Sequence, residues 1–224
     1  VFGEILRAQG AYIHNLSDFW DYYWKNPNGS DPEQLGWRLK YNRENRGDIY
    51  ATHGLGPVAQ ALNIHRGDRM TSLVAMDTKS VQGKELVEAR TGKPCNDFRN
   101  GDHTTTLIQT ADRKVIELQH DVMNPQPYSR LYQLTGTKGF ANKYPIEGYA
   151  VDAKQLKATG NAPKVDNLTS HEFMPDDQRK ALEEKYESPI LKKFGKLAKE
   201  VGGHGGMDFI MCARLIYCLQ NGLP

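Results

Sequence analysis

Two pairs of β-rich segments, each joined by a three-residue connection, constrain the fold of this chain most. The first pair spans residues 104–110 and 114–120, and the second spans residues 128–136 and 140–144. Connections this short predict antiparallel hairpins. The alternating pattern of residues 2–16 predicts one further strand, whose side chains point to opposite faces in turn. The sequence therefore predicts a sheet built largely from antiparallel pairs.

The remaining segments complete the expected architecture. Strands are predicted over 69–78 and 149–151, helices over 55–65, 83–91, 176–186 and 189–200, and a long surface loop over the aromatic, turn-rich residues 17–36. A last helix begins within 202–208, and its helical spacing predicts that it buries Phe209, Cys212, Ala213, Ile216 and Leu219. Strands followed by clustered helices indicate the α+β class, with one large, mostly antiparallel open sheet and helices packed on one face.

Composition argues against several kinds of partner. The 224 residues carry 29 basic and 27 acidic side chains, and the resulting net charge of +2 gives no field typical of binding to nucleic acid or a membrane surface. No apolar run approaches the roughly 20 residues that span a bilayer. The three cysteines fit neither a zinc site nor a disulfide framework, and Cys212 and Cys218 are expected in the core. We therefore expect no nucleic acid, no membrane and no metal as a partner.

The segment from Gly47 to Pro57 carries the strongest functional signal. It places Tyr50 and His53 three residues apart, and both side chains can move protons once their surroundings tune them. Because proline is tolerated best in the first turn of a helix, His53 is expected at or just before a helix N-terminus. The helix dipole there favours neutral imidazole. A purely structural role, in which His53 caps the turn, is the alternative.

Five motifs occur in an order that resembles one enzyme family. They are Gly10-Ala11-Tyr12-Ile13-His14, Trp37-Arg38-Leu39, the segment from Asp48 to Val58, Pro127-Tyr128 and Gly203-His204-Gly205-Gly206-Met207-Asp208. Together they resemble the NAD-dependent α-N-acetylgalactosaminidases, glycoside hydrolase family 109, within the glucose–fructose oxidoreductase and inositol dehydrogenase superfamily. The resemblance covers nearly all of the chain. Its one departure is Ala51, where the family usually has proline.

The resemblance implies a substrate-binding sheet domain over residues 1–224, with a Rossmann domain that binds NAD on another part of the polypeptide. No glycine-rich dinucleotide motif occurs here, and the chain begins at Val1 without methionine, so we expect a fragment. In the implied reaction an amino-sugar glycoside is oxidised at C3, loses its C2 proton to a base, eliminates the C1 substituent, adds water and is reduced again. The bacterial compartment, cytoplasm or periplasm, stays open.

The resemblance also implies three catalytic residues. His53 would act as a general acid or base near the C3 hydroxyl or the leaving group. Tyr12 and Tyr128 are both candidates for the C2 base, provided that a neighbouring cation lowers the pKa of the phenol. The sequence does not choose between these two tyrosines, and without the resemblance each is an ordinary sheet aromatic.

Substrate binding is implied at six positions, namely Arg38, Tyr50, Ala51, Thr52, His53 and Tyr128. A guanidinium such as that of Arg38 suits sugar hydroxyls or an acetamido carbonyl. Tyr50 would contact the nicotinamide ribose as well as the sugar. Asp208, after the glycine-rich turn, is expected to cap the last helix.

Several alternatives stay open beside this interpretation. A sugar or polyol dehydrogenase of the same superfamily would share the fold and the cofactor but would accumulate NADH. An assembly domain would form a homo-oligomer through an apolar open face on the strands within 104–120 and 128–144. His120 and Asp121 are not expected to bind a metal, because adjacent strand residues point to opposite faces. The sequence assigns no role to His14.

Overall fold

The computed structural model describes residues 1–17, 37–163 and 168–223. It divides into two compact units, Val1–Met174 and Pro175–Pro224, which are described separately below. The loop predicted over residues 17–36 lies, except for Ser17, outside the described residues. In the described part of the chain, no helix combines the length and the hydropathy that a membrane span requires.

The first unit is built on a seven-stranded sheet. Its strands are β1 (Ile5–Ile13), β2 (Met70–Asp77), β3 (His103–Thr110), β4 (Val115–Asp121), β5 (Tyr132–Gly136), β6 (Gly139–Asn142) and β7 (Gly148–Ala150). They lie in the order β2-β3-β4-β1-β5-β6-β7. Every neighbouring pair is antiparallel except β1 and β4, which are parallel. Both predicted hairpins, β3–β4 and β5–β6, are confirmed, and so is the mostly antiparallel α+β class.

Helices cover one face of this sheet. The first unit contains α1 (Trp37–Glu44), α2 (Ala51–Ala61), α3 (Gln82–Thr91) and α4 (Ala153–Ala158). Helix α2 contacts β1, β4 and β5. Its Val58 and Leu62 pack against alternate residues of the strands, which include Ala8, Ile116 and Leu118. Alternation along each strand therefore supplies one apolar face, and α2 buries it.

Helix α2 begins four residues earlier than the sequence predicts. We expected it to start at 55 with Pro57 in its first turn, but Ala51 is its first residue and Pro57 lies in its interior. A proline has no N–H, so Pro57 cannot donate to the carbonyl of His53 one turn earlier. The helix tolerates this loss because Gly54 and Val58 hold its inner side against the sheet.

The other face of the sheet, called the open face below, is covered only in part: Phe173 packs on it beside Phe140 and Gly148. At its centre Glu117 accepts hydrogen bonds from Arg7 and Gln9, and Arg7 also donates to Gln133. Toward the edge strand β2 the same face carries the exposed apolar side chains Val74, Met76 and Leu107. The open face is therefore polar in the middle and apolar at one edge.

The second unit contains α5 (Asp176–Tyr186), α6 (Pro189–Val201), a 3₁₀ turn (His204–Gly206) and α7 (Met207–Asn221). The prediction that the last helix buries its apolar stripe is wrong. None of the fifteen residues of α7 is buried, and Ile216 and Leu219 are 53% and 73% exposed. Cys212 is exposed and Cys218 is half-buried, so neither is a core cysteine. Within this unit only α6 and the 3₁₀ turn pack on α7, so one side of the helix stays uncovered.

The predicted capping role of Asp208 is also wrong. Gly206 occupies the N-cap of α7, and no side chain caps it. The Asp208 carboxylate instead lies 2.9 Å from Nδ1 of His204, across the glycine-rich turn.

Candidate functional site

Three aromatic side chains of the predicted site stack on one another at one end of β1. The ring centroids of Tyr12 and His53 are 4.5 Å apart at an interplanar angle of 27°. Tyr50 lies 5.2 Å from Tyr12 and 5.6 Å from His53, nearly parallel to the imidazole. Tyr12 is only 6% exposed. The sequence separates Tyr12 from the other two rings by about 40 positions, and the fold brings all three into one cluster.

Two glycines make this stack possible. A Cβ atom on Gly10 would lie 2.2 Å from the carbonyl oxygen of Gly54, and a Cβ on Gly54 would lie 3.1 Å from the backbone nitrogen of Ala11. The first turn of α2 therefore rests on the backbone of β1 with no side chain between them, an approach that only glycine permits. Tyr12, two residues after Gly10, and His53, which precedes Gly54, are brought into contact as a result.

The start of α2 orients Tyr50 and His53. Tyr50 is the N-cap residue of the helix, and His53 lies in its first turn, as predicted. Asp48 accepts a hydrogen bond from the backbone N–H of Tyr50 at 2.9 Å and so fixes the turn that precedes the helix. Burial raises the pKa of Asp48 to about 6, although this hydrogen bond acts in the opposite direction.

Helix α1 delivers Arg38 to the same cluster. The guanidinium carbon of Arg38 lies 5.6 Å from the ring centroid of Tyr50, which is a cation–π distance. The helix is held in place by Asn42, whose side chain accepts a hydrogen bond from the buried Asn100, and by the ion pair of Arg43 with Asp97. The sequence places Arg38 at the end of the aromatic loop, whereas the structure has it on a helix.

A second group of side chains joins Tyr128 to Tyr12. The Tyr12 hydroxyl lies 3.2 Å from Nδ1 of His14, and the His14 ring packs edge-on against Tyr128 at 4.9 Å. The guanidinium carbon of Arg130 lies 5.4 Å from the Tyr12 ring centroid and 5.8 Å from that of Tyr128. Burial lowers the pKa of His14, and the charge of Arg130 lowers it further. Both effects favour the neutral form of the His14 imidazole.

His120 lies behind the stack, on β4. Its ring is 6.2 Å from Tyr50 and 6.3 Å from Tyr12, and the parallel register places it directly beside Tyr12. Burial lowers the pKa of His120 to about 4, with Asp121 opposing this shift and His103 and His53 adding to it. Among the described residues, Nε2 of His120 has no hydrogen-bond partner. The site thus has a neutral histidine as its inner wall.

Asp121 anchors the segment that leads to Tyr128. Its carboxylate accepts hydrogen bonds from the backbone N–H groups of Met123 and Asn124 and from the side chains of Asn124 and Gln126. Nδ1 of His103 lies 3.2 Å away. Burial alone would raise the pKa of Asp121, but these hydrogen bonds outweigh it and hold the pKa below its usual range. Asp121 is therefore a buried carboxylate that fixes a turn.

The structure gathers the predicted site residues at one place but adds others. Tyr12, Tyr50, His53, Arg38 and Tyr128 belong to the connected set of ring and cation contacts described above. Ala51 and Thr52 are the first two residues of α2, beside Tyr50. Thr52 is exposed, and Tyr128 is 45% exposed at the outer rim.

Sequence reasoning missed His14, Arg130 and His120. The signal for His14 is its spacing from Tyr12, because residues two apart on a strand share a face. Arg130 lies two residues after Tyr128, so the same spacing was available there. His120 carries no comparable signal, since its place beside Tyr12 depends on the parallel register of β1 and β4.

The cluster offers a ligand ring faces and guanidinium groups rather than a loop that binds phosphate. Flat rings and guanidinium groups are present, whereas the sequence has no glycine-rich phosphate loop after a strand. In the described ranges, no group of three or more His, Cys, Asp and Glu side chains is arranged to hold a metal ion.

Comparisons with known proteins agree with the resemblance in the sequence. Residues 1–224 match the family described as Glycosyl hydrolase 109, C-terminal domain. Glycosyl hydrolase family 109 proteins 5 and 4 of Phocaeicola vulgatus are 73% and 72% identical over all 224 residues. Glycosyl hydrolase family 109 protein 1 of Bacteroides thetaiotaomicron is 54% identical over the same length. The chain covers 42%, 43% and 46% of these proteins, so it spans less than half the length of the curated relatives it matches.

Solved structures overlap with part of the chain. A scyllo-inositol dehydrogenase from Lactobacillus casei, with bound NAD(H) and scyllo-inositol, is 11% identical with a TM-score of 0.39, covering 65% of this chain and 35% of that one. An inositol dehydrogenase homolog from Azotobacter vinelandii, complexed with NAD+, is 13% identical with a TM-score of 0.40, covering 63% and 31%. The family match covers residues 1–224, and a curated member is 73% identical over the same residues. This chain therefore belongs to glycosyl hydrolase family 109, of which it is a C-terminal domain.

Proposed function

We propose that this chain is the sugar-binding domain of an NAD-dependent glycosidase that cleaves α-N-acetylgalactosaminides by transient oxidation at C3, elimination, water addition and re-reduction. Membership of family 109 supports the hydrolase class. The observation that carries the proposal is the stack of Tyr12, Tyr50 and His53, with the closest rings 4.5 Å apart. It concentrates groups that transfer protons at one sheet edge, next to guanidinium groups that suit sugar oxygens.

Each residue has a role that follows from its place. A bound nicotinamide cofactor supplies hydride exchange with the sugar C3. His53 exchanges a proton with the C3 hydroxyl or the leaving group, and Arg38 binds a hydroxyl or the acetamido oxygen. The N–H groups of Ala51 and Thr52 have no acceptor one turn earlier within α2, so they are suited to bind a sugar oxygen. Tyr50 lies between Arg38 and His53 and contacts both the sugar and the cofactor ribose.

The C2 base requires a phenol near a cation. Arg130 lies over the rings of both Tyr12 and Tyr128, so it supplies the positive charge that this role needs. Tyr12 is buried in the stack, whereas Tyr128 lies at the rim. Both remain candidates in this proposal, and phenylalanine at each position separates them, because only loss of the base lowers kcat with little effect on KM.

The test uses the full-length protein and the p-nitrophenyl glycoside of α-N-acetylgalactosamine. Replacing His53 by alanine should lower kcat/KM by about 10²–10⁴, the usual contribution of a general acid or base. The exposed His171 is the matched control, and its alanine variant should keep full activity. Unchanged release of p-nitrophenol by the His53 variant would remove that residue from the mechanism.

The same assay separates the dehydrogenase alternative. A glycosidase that returns the hydride in each cycle consumes no external NAD, so NADH should not accumulate while p-nitrophenol is released. A dehydrogenase would instead release no p-nitrophenol and would produce NADH steadily from free sugars or polyols. That outcome would overturn the glycosidase proposal and support the sugar or polyol dehydrogenase instead.

We also propose that the apolar edge of the open face joins two copies of the protein. The exposed Val74, Met76 and Leu107 are neighbours on β2 and β3, and an exposed apolar patch on a sheet favours association. The centre of the face around Glu117 is polar, and it separates this apolar edge from Phe140 and Phe173 near β7. Sedimentation of the full-length protein tests the proposal.

A further inference from the structure

The side chain of Tyr12 is buried, and its hydroxyl lies within hydrogen-bond distance of an imidazole nearer the solvent. Tyr12 is 6% exposed, and its hydroxyl oxygen lies 3.2 Å from Nδ1 of His14. His14 follows the end of β1 and is half-buried, and its ring also touches Tyr128, which is exposed at the rim. The imidazole therefore lies between the buried phenol and the solvent side of the site.

Arg130 adds a positive charge that has no carboxylate partner among the described residues. Its guanidinium lies over the rings of Tyr12 and Tyr128, and its buried Nε has no hydrogen-bond partner in the described ranges. Within those ranges no carboxylate forms an ion pair with Arg130, whereas Arg7 and Arg43 each have one. An uncompensated guanidinium at this distance favours phenolate over phenol.

Among the described residues, the other rings that stack on Tyr12 belong to side chains without a negative charge. The start of α2 contributes Tyr50 and His53, and β4 contributes His120, which burial keeps neutral. Asp121 follows His120 on β4, where it pairs with Ile13, so it points to the opposite face from Tyr12. The remaining cation is Arg38, which lies over Tyr50.

We propose that His14 is a proton relay for Tyr12 and that Arg130 shifts the protonation equilibrium of Tyr12 toward the phenolate. In the forward step the O–H bond of Tyr12 breaks as an N–H bond forms at Nδ1 of His14. Nε2 then releases its proton to water, which leaves a phenolate and a neutral imidazole of the other tautomer. The same cation that favours the phenolate disfavours a protonated His14, so the relay passes the proton on.

This inference deepens the proposed function, because it gives one candidate C2 base a route for its proton. Its tests do not depend on turnover. In full-length protein labelled with ¹⁵N-histidine, NMR at a pH between the midpoints of His14 and Tyr12 should show Nδ1 of His14 unprotonated and accepting a hydrogen bond, with Nε2 carrying the hydrogen. Above the Tyr12 midpoint the hydrogen should move to Nδ1. A spectrum in which Nδ1 already carries the hydrogen below the Tyr12 midpoint would overturn the relay, and this measurement needs no variant.

The role of Arg130 is tested with tyrosine labelled at Cζ, assigned with Tyr12→Phe. Removing the charge by Arg130→Met should raise the pH midpoint of the Tyr12 signal by about one unit or more, and Arg130→Lys should restore most of this shift. The exposed Arg66, replaced by methionine, is the control and should leave the midpoint unchanged. An unchanged midpoint in Arg130→Met would overturn the proposal.

Activity then distinguishes the two proposals. If the glycosidase proposal holds, His14→Phe should lower kcat about tenfold or more with little change in KM, since the ring packing is kept and only the acceptor is lost. If no glycoside is cleaved but the NMR results are as expected, the relay stands and the proposed substrate fails. Full activity of His14→Phe on a cleaved glycoside would overturn the relay alone.

Discussion

Replacing Gly10 by alanine would separate the two backbones whose contact holds the aromatic stack together. The new Cβ would lie 2.2 Å from the carbonyl oxygen of Gly54 and 2.7 Å from its carbonyl carbon. Both atoms belong to the backbone, so no flexible side chain can move aside. Because ordinary contact begins near 3.4 Å, the first turn of α2 would have to retreat by about 1 Å.

The cost follows from what that movement disturbs. Overpacking of this kind costs about 1–3 kcal/mol, and we expect the upper part of the range because Val58 and Leu62 fix α2 in the core. Gly56→Ala is the matched control. It lies on the same helix, its Cβ would meet nothing within 4 Å, and alanine should stabilise the helix by about 0.5–1 kcal/mol. The two glycine-to-alanine changes should therefore have effects of opposite sign.

Urea unfolding of the two full-length variants, followed by circular dichroism, measures the free energy of unfolding of each. Equal stability of the Gly10→Ala and Gly56→Ala variants would refute the claim that α2 rests directly on β1. Activity adds a second readout, because a shift of about 1 Å between His53 and Tyr12 should lower kcat/KM by about 10²-fold. A stable Gly10→Ala variant with full activity would contradict the geometry of the stack as well.

Three further predictions concern the site walls and the open face. The pKa of His120 is about 4 in the folded protein and 6.5 in the unfolded chain, so below pH 6.5 the unfolded chain binds the proton more readily. The free energy of unfolding should therefore fall by about 3 kcal/mol between pH 6.5 and pH 4. In urea titrations, His120→Phe should reduce this loss. Asp121→Asn should cost about 1–3 kcal/mol in thermal unfolding, because the new amide donors would face the donors of Asn124 and Gln126. Met76→Lys should weaken self-association in sedimentation, whereas Lys138→Met, away from the apolar edge, should not; an unchanged distribution for Met76→Lys would exclude that edge as the interface.

The sheet could be predicted because its signals are local. The short predicted connections favour both hairpins, although the structure has four residues between β3 and β4 and two between β5 and β6. Alternation along β1 indicates which of its sides is buried. The burial of α7 could not be predicted in the same way. Its apolar spacing indicates a face that packs well, but spacing cannot tell which element covers that face, and within its unit α6 covers one side only.

The site was partly predictable for a related reason. Tyr50 and His53 are close in sequence, so a helix start suffices to bring them together. Tyr12 could be joined to them only through the resemblance, because its contact with His53 depends on Gly10 meeting Gly54 in three dimensions. The sequence did not predict that α2 begins at Ala51. Packing of Gly54 and Val58 against the sheet outweighs the preference of Pro57 for the first turn of a helix.

The single parallel pair in the described sheet explains why the polar groups converge. Because β1 and β4 run in the same direction, Tyr12 lies beside His120, and both strands end at the same edge. The chain leaves β4 there through the turn anchored by Asp121, and that turn carries Tyr128 back to His14. An antiparallel β4 over the same span would place Ile116 next to Tyr12 and send the Asp121 turn to the opposite end of the strands. The predicted hairpins are consistent with either direction of β1, so this one pairing, which no local signal specifies, decides whether the scattered tyrosines and histidines form a site.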